Sequence, residues 1–331
     1  MTTNGRDNIA AIVWAAHQNH AEKYARSLNA RLYNVHYLRQ RQPLLAPIKY
    51  IPQAIKTWLV LARQKPDVVY VMNPPVFAPL SVFIYCRLSG TPYVMDTHSP
   101  ALYSTKWGWS VPLQRFLAKF AMVNIVDQER YKRLFESWGA RAFVLEKPPS
   151  TSYQEEAKPD VAGRFSITVV NTFASDEPVW PILEAARDLP DVHFYILGEK
   201  SRAKPPMLSA APANVTFTDY LYNDDYWNQL RESRAVMALT EHDFSLLAGA
   251  QDGMVIGKPL IVSKKPALLE YFTKGAIFVE NTPESIVEGV KVFWEQEDRL
   301  KREIVELAAE KIEGWETNFK ALKELIGGVR C

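Results

Sequence analysis

Cysteine is almost missing from this chain. Cys86 and Cys331 are the only two in 331 residues, far apart and without ligand spacing, so neither a disulfide framework nor a thiolate metal site is encoded. No apolar run reaches the roughly 18 residues that a membrane span needs, and the first residues lack the apolar core of a signal peptide. The expectation is a folded protein of a reducing, cytoplasmic compartment, at most peripheral on the inner face of a membrane. A G-x-G-x-x-G turn is absent after the first strand-like segment of either half, which argues against a dehydrogenase. Acidic residues are scarce in one half only. Residues 1–150 hold 19 Lys and Arg against 8 Asp and Glu, whereas the remainder holds 20 against 29. A basic half favours anionic partners such as acidic lipid headgroups or a lipid-linked phosphate, the alternative being an ordinary solvated surface.

What is present is apolar material enough for two packed cores: 47% of the residues are apolar and 12% aromatic. In the first half, strand-like runs (Ile9 to Trp14, Val68 to Met72, Tyr93 to Met95, Val123 to Val126, Ala142 to Leu145) alternate with helix-like ones (Ala21 to Leu28, Ile48 to Gln64, Leu80 to Leu88). That alternation predicts a parallel sheet with crossover helices. A polar, proline-containing stretch over 151–163 reads as a linker. The pattern then restarts with Ser166 to Asn171, Val179 to Asp188, His193 to Leu197, Val215 to Thr218 and Asp224 to Glu232. The expected organisation is α/β, with Rossmann-like domains at 1–150 and 164–312, a ligand cleft at their strand ends, and a final helix over 313–331 beginning after Gly314.

One run is richest in chemistry. From Leu239 to Ser263 the pattern is strand, polar turn, helix, then Gly257-Lys258-Pro259 and another strand. Ser245 is placed to cap that helix, and the free N–H groups of Leu246 and Leu247 to face a phosphate. Asp252, two turns along the same face, is placed to bind a ribose. In the first half, Asn73-Pro74-Pro75 marks a rigid loop at a strand's carboxyl end. Asp96-Thr97-His98-Ser99 follows the next strand. Ser175 and Asp176 read as a helix start with Pro178 in its first turn.

N-P-P, a short apolar helix and a strand ending in D-x-H, together with Gln251-Asp252-Gly253-Met254 before Gly257 and Pro259, resemble GT-B glycosyltransferases. The resemblance is to the family 4 type and to the chitobiosyldiphosphodolichol β-mannosyltransferase, which acts on a lipid-linked sugar. It implies a nucleoside diphosphate sugar as donor on the second domain, a lipid-linked or polysaccharide-pathway acceptor at Asn73, Pro74 and Pro75, and a final helix returning to the first domain. Asp96 becomes the candidate base, with His98 able to take that task or to orient the acceptor. Tyr220 and Leu221 stand where related domains contact the nucleobase. Lys200 and Arg202 are candidates for diphosphate charge, because the family's basic residues after the first strand of this domain are replaced here by Asp176 and Glu177. Phe244 stands where the family has a second acidic residue, with Asp243 and Glu241 beside it. No metal and no other cofactor is implied. The rival readings are a sugar-nucleotide epimerase on the same fold and a non-catalytic sugar-nucleotide-binding subunit.

Aromatic and basic residues also interleave in the first half: Arg31, Tyr33, Tyr37, Arg39, Arg41, Lys49, Tyr50, Lys56 and Trp58, then Lys106, Trp107, Trp109, Arg115 and Lys119. Such mixtures suit attachment to an anionic membrane, or form an ordinary core stripe beside a solvated face. Nucleic acid is not expected, since no recognisable RNA module accompanies them.

Overall fold

A computed structural model describes residues 8–16, 18–37, 46–104, 106–146 and 165–328. The expected linker at 151–163, Arg39 and Arg41 lie outside them. The chain divides into two compact units, Met1–Pro148 with Trp315–Cys331, and Pro149–Gly314.

In unit 1 the strands β1 (Ile9–Val13), β2 (Arg31–Asn34), β3 (Val68–Asn73), β4 (Tyr93–Thr97), β5 (Val123–Val126) and β6 (Ala142–Val144) form a parallel sheet in the order β2-β1-β3-β4-β5-β6. Crossover helices cover both faces, so the inner strands read as unbroken apolar runs rather than alternating ones. Helices α2 (Ala46–Gln64), α3 (Phe77–Ser89) and α5 (Val111–Phe120) cover one face, while α1 (Asn19–Ser27) covers the other. The short α4 (Pro100–Tyr103) and α6 (Glu129–Ser137) complete the unit. Helix α3 stops at Gly90, which adopts φ +76° and returns its N–H to Cys86 O, a left-handed cap that glycine takes without Cβ strain.

In unit 2, β7 (Phe165–Val169), β8 (Val192–Leu197), β9 (Val215–Asp219), β10 (Ala235–Ala238), β11 (Leu260–Ser263) and β12 (Ala276–Val279) are also all parallel, in the order β12-β11-β10-β7-β8-β9. Read from β7, this is the doubly wound order of a Rossmann sheet. Its helices are α7 (Trp180–Arg187), α8 (Pro205–Ser209), α9 (Asn223–Glu232), α10 (Ala248–Val255) and α11 (Pro266–Tyr271). In each sheet the strand order reverses once, between β1 and β3 in unit 1 and between β7 and β10 in unit 2. Ligands of open α/β sheets bind outside the strand ends at such reversals.

The expected break at Gly314 does not occur: α12 is one helix over Pro283–Gly327. A helical glycine costs about 1 kcal/mol relative to alanine, less than the packing on either side of it recovers. Ile286, Val290 and Phe293 are buried in unit 2, while Phe319, Leu322 and Ile326 are buried against Ile9, Ala11 and Tyr24 in unit 1. The helix start expected at Ser175 and Asp176 is also displaced. Those residues lie in a turn, α7 begins at Trp180, and Pro181 rather than Pro178 occupies its first turn.

Candidate active site

The two motifs of unit 1 meet at its sheet reversal. Parallel pairing puts Met72 beside Asp96 and Asn73 beside Thr97, and His98 N–H donates to Asn73 O at 2.9 Å. Both peptide bonds into Pro74 and Pro75 are cis. Asn73 is fully buried and donates from Nδ2 to Gln114 Oε1 at 2.9 Å, which ties the loop to α5.

Asp96 is only 3% exposed. Its Oδ2 accepts the Tyr70 hydroxyl and lies 3.5 Å from His98 Nε2. The His98 side chain is 26% exposed, but its Nε2, the atom facing Asp96, is buried, so the exposure belongs to the rest of the ring. Burial opposes charge on that ring, but Asp96 and then Asp127 outweigh it, and the His98 pKa is raised above its ordinary value of 6.5. Burial raises the carboxyl pKa of Asp127, against the lowering hydrogen bond from the Ser99 hydroxyl. The Tyr70 phenol is pushed far up by burial and by Asp96, so it stays a donor to that carboxylate. Beneath it Tyr24 lies 6.2 Å away, ring to ring, and donates to Glu146 O at 2.9 Å, the same carbonyl that accepts from Trp315 Nε1 at 3.1 Å.

Sequence reasoning missed Tyr70 and Asp127, and gave Ser99 no role of its own. Tyr70 looks like core in an apolar strand. Asp127 carried a usable signal, since it directly follows β5 just as the D-T-H-S segment closes β4. Two buried acceptors, Asn73 Oδ1 and Asp127 Oδ1, have no hydrogen-bond partner among the described residues. A row of rings flanks the loop: Trp14 to Tyr50 at 5.8 Å, Tyr50 to Phe77 at 4.8 Å, and Phe77 to Trp109 at 6.2 Å.

In unit 2 the site residues group at the other reversal. Helix α10 starts at Ala248 with Leu247 as its cap residue, whose side chain makes no capping hydrogen bond. The expected cap by Ser245 is therefore corrected: Asp243 and Phe244 form a turn, and 245–247 run without regular structure into the helix. Leu246 and Leu247 pack their side chains on the core formed with Met254 and Leu260, so the free N–H groups of the first turn belong to Ala248, Gly249 and Ala250. A Cβ at Gly249 would clash with the Val170 side chain just after β7. Only glycine lets the helix start come so close to that strand end. Gly249→Ala is expected to lower stability by about 1–3 kcal/mol through overpacking, read as a lower urea midpoint at unchanged slope.

Asp252, on the second turn of α10, accepts the Tyr226 hydroxyl from α9 at 3.0 Å, and burial with Asp252 raises the Tyr226 phenol. Lys200 and Tyr220 are brought together through Asp219, whose Oδ1 accepts both backbone N–H groups, at 3.0 and 2.8 Å. Those two bonds hold the exposed Asp219 carboxyl below its usual range. Lys200 and Arg202 lie exposed on a short 3-10 turn; Tyr220 is 57% exposed, and Leu221 packs partly into the core beside Tyr226.

The acidic loop after β7 is satisfied from within. Glu177 Oε2 accepts from Thr172 N (2.6 Å), Thr172 Oγ1 (2.9 Å) and Ala174 N (3.3 Å), and Asp176 accepts from Thr240 Oγ1 (3.0 Å). Glu241 and Asp243 lie 3.6 and 3.7 Å from Lys265. Among the described residues no group of three or more His, Cys, Asp or Glu is placed to hold a metal.

Comparison with known proteins bears on the fold. HepE of Anabaena, solved in complex with UDP and glucose, superposes with a TM-score of 0.74 at 13% identity, covering 98% of this chain and 100% of that one. The fold is GT-B. Sucrose-phosphate synthase of Thermosynechococcus elongatus gives a TM-score of 0.73 at 10% identity over 97% of this chain and 99% of that one. A putative UDP-N-acetylglucosamine 2-epimerase of Listeria monocytogenes gives 0.63 at 11% identity over 95% and 97%. Residues 179–324, less than half of the chain, match a family model described as glycosyl transferase-like. No curated protein matches by sequence. In this GT-B chain the family match spans α10, Asp252, Tyr226, Lys200 and Tyr220, while the His98 cluster falls outside it.

Proposed function

We propose that the protein transfers a sugar from a nucleoside diphosphate donor bound by unit 2 to a hydroxyl group bound at the strand ends of unit 1. The observation that carries the reading is the His98–Asp96 pair at the sheet reversal, on a chain that has the GT-B fold and a glycosyl transferase-like segment. Asp96 was the first candidate for the base, but its burial and its bond to Tyr70 favour His98 in that role, with Asp96 positioning the ring. As the acceptor oxygen attacks the anomeric carbon, its proton passes to His98, a new C–O bond forms, and the anomeric C–O bond to the diphosphate breaks. The imidazolium is stabilised by Asp96, and Tyr70 fixes that carboxylate. The exposed ring of Trp109 offers a stacking face for a sugar or a lipid chain.

On the donor side, the first-turn N–H groups of α10 meet the leaving diphosphate, with Gly249 permitting close approach. Asp252, held by Tyr226, accepts ribose or sugar hydroxyls, and Tyr220 with Leu221 flanks the base. Because HepE was solved with UDP and with UDP-glucose, uridine diphosphate sugars are the first donors to test. A lipid-linked sugar or a growing polysaccharide is the acceptor class to test with them.

The second reading is epimerisation of the donor, favoured by solved structures described as UDP-N-acetylglucosamine 2-epimerases at TM-scores of 0.63 and 0.65. One assay separates the two. Labelled sugar nucleotide is incubated with and without acceptor. Label moving into the acceptor with stoichiometric release of nucleoside diphosphate supports transfer, and an epimerised sugar formed without acceptor supports the rival.

A further inference from the structure

Helices α2, α3 and α5 cover one face of the unit 1 sheet, and their outer surface is unusual for a solvated one. On α2, Ile51, Ile55 and Leu59 recur one turn apart and are 65%, 50% and 51% exposed, with Trp58 beside them. On α3, Leu88 is 85% exposed and Ile84 joins it, while α5 adds Phe116 and Phe120. The three helices adjoin one another. Trp58 Nε1 donates to Ser81 O of α3 at 2.9 Å, and Phe83 of α3 meets Phe116 and Phe120 at 5.5 and 5.3 Å. Soluble proteins rarely leave so many large apolar side chains together in water.

The charge on the same helices is one-sided. They carry Lys49, Lys56, Arg63, Arg87, Arg115 and Lys119, and no aspartate or glutamate. The Arg87 guanidinium rests over the Phe120 ring at 5.8 Å, so a cation lies directly beside the apolar surface. Aliphatic and aromatic side chains at the centre, with long cationic side chains able to reach outward, match a bilayer's boundary between acyl chains and anionic headgroups. Among the described residues no helix is long and apolar enough to cross a membrane, so the match is to a surface and not to a span.

We propose that the face formed by α2, α3 and α5 binds reversibly to an anionic lipid bilayer. Ile51, Ile55, Leu59, Leu88 and Phe116 enter the headgroup boundary, and the six cations meet lipid phosphates. The inference goes beyond the transferase reading and does not depend on it, because vesicle binding requires neither donor nor acceptor.

The test is co-sedimentation of the full chain with vesicles of equal parts phosphatidylglycerol and phosphatidylcholine, and with vesicles of phosphatidylcholine alone. Retention on the anionic vesicles only, weakened by added salt, is the expected result. The triple variant Arg63→Gln, Arg87→Gln, Arg115→Gln is expected to bind roughly fivefold more weakly per charge removed. Ile55→Asp with Leu59→Asp is expected to weaken binding at least about tenfold, since a charge at each site both removes apolar contact and repels the headgroups. If that pair does not fold, Leu88→Asp serves in its place at a highly exposed position. The proposal is overturned if the protein stays in solution with anionic vesicles at low salt, or binds neutral vesicles equally. It is also overturned if the Ile55 and Leu59 changes turn a dimer into a monomer while leaving vesicle retention intact, which would make the face a contact between copies of this chain.

Discussion

Replacing His98 with alanine is expected to lower kcat by about 10²- to 10⁴-fold, the contribution of a positioned general base, while leaving donor affinity and melting temperature near those of the parent. A pH profile adds a sharper readout. The base acts only when neutral, so activity rises with pH through the His98 pKa. That pKa lies above the ordinary 6.5 because the nearby carboxylates outweigh burial. Asp96→Asn removes the larger favourable charge, and the acidic limb of the profile is expected to move to lower pH while kcat falls. A change in Asp96 that lowers kcat and leaves that limb in place would show that Asp96 does not act through His98. Tyr70→Phe is expected to produce a smaller fall in kcat, because it frees the carboxylate without removing it.

The second large effect concerns the donor. Asp252→Ala is expected to weaken nucleotide-sugar binding by about 10- to 100-fold, the range for losing hydrogen bonds to a charged group. Titration calorimetry with the preferred donor measures this directly. Tyr226→Phe leaves the carboxylate but loses the 3.0 Å bond that orients it, and should cost less. If Asp252→Ala binds the donor as the parent does, the ribose or sugar is held elsewhere on unit 2.

The sequence was readable wherever a strand is buried on both faces. Ile9–Val13, Val68–Asn73 and Phe165–Val169 are buried throughout and were visible as apolar runs. Arg31–Asn34 was not, because this edge strand is short, polar and exposed at both ends, with no run to distinguish it from a loop. Gly314 misled because local propensity favours a break there, whereas packing on both flanks keeps α12 whole. Ser245 misled for a related reason. A serine before an apolar run is a cap signal, but Leu246 and Leu247 pack against the core before the helix begins, which moves its start two residues on. That Asn73 and the D-T-H-S segment lie at the carboxyl ends of strands was legible because each follows an apolar run. The contribution of Tyr70 was not, since its position in an apolar strand hides a hydroxyl that bonds across to the next strand.

Binding of a nucleoside diphosphate sugar by unit 2 is tested by the melting temperature of the full chain with a panel of such sugars, repeated on Asp252→Ala. A ligand that binds only the folded protein raises that temperature, by an amount equivalent to about 2.7 kcal/mol at a hundredfold excess over Kd. A rise with at least one donor, uridine diphosphate sugars first, and its loss in the variant are the expected results. No rise with any nucleotide sugar at millimolar concentration would contradict donor binding by unit 2.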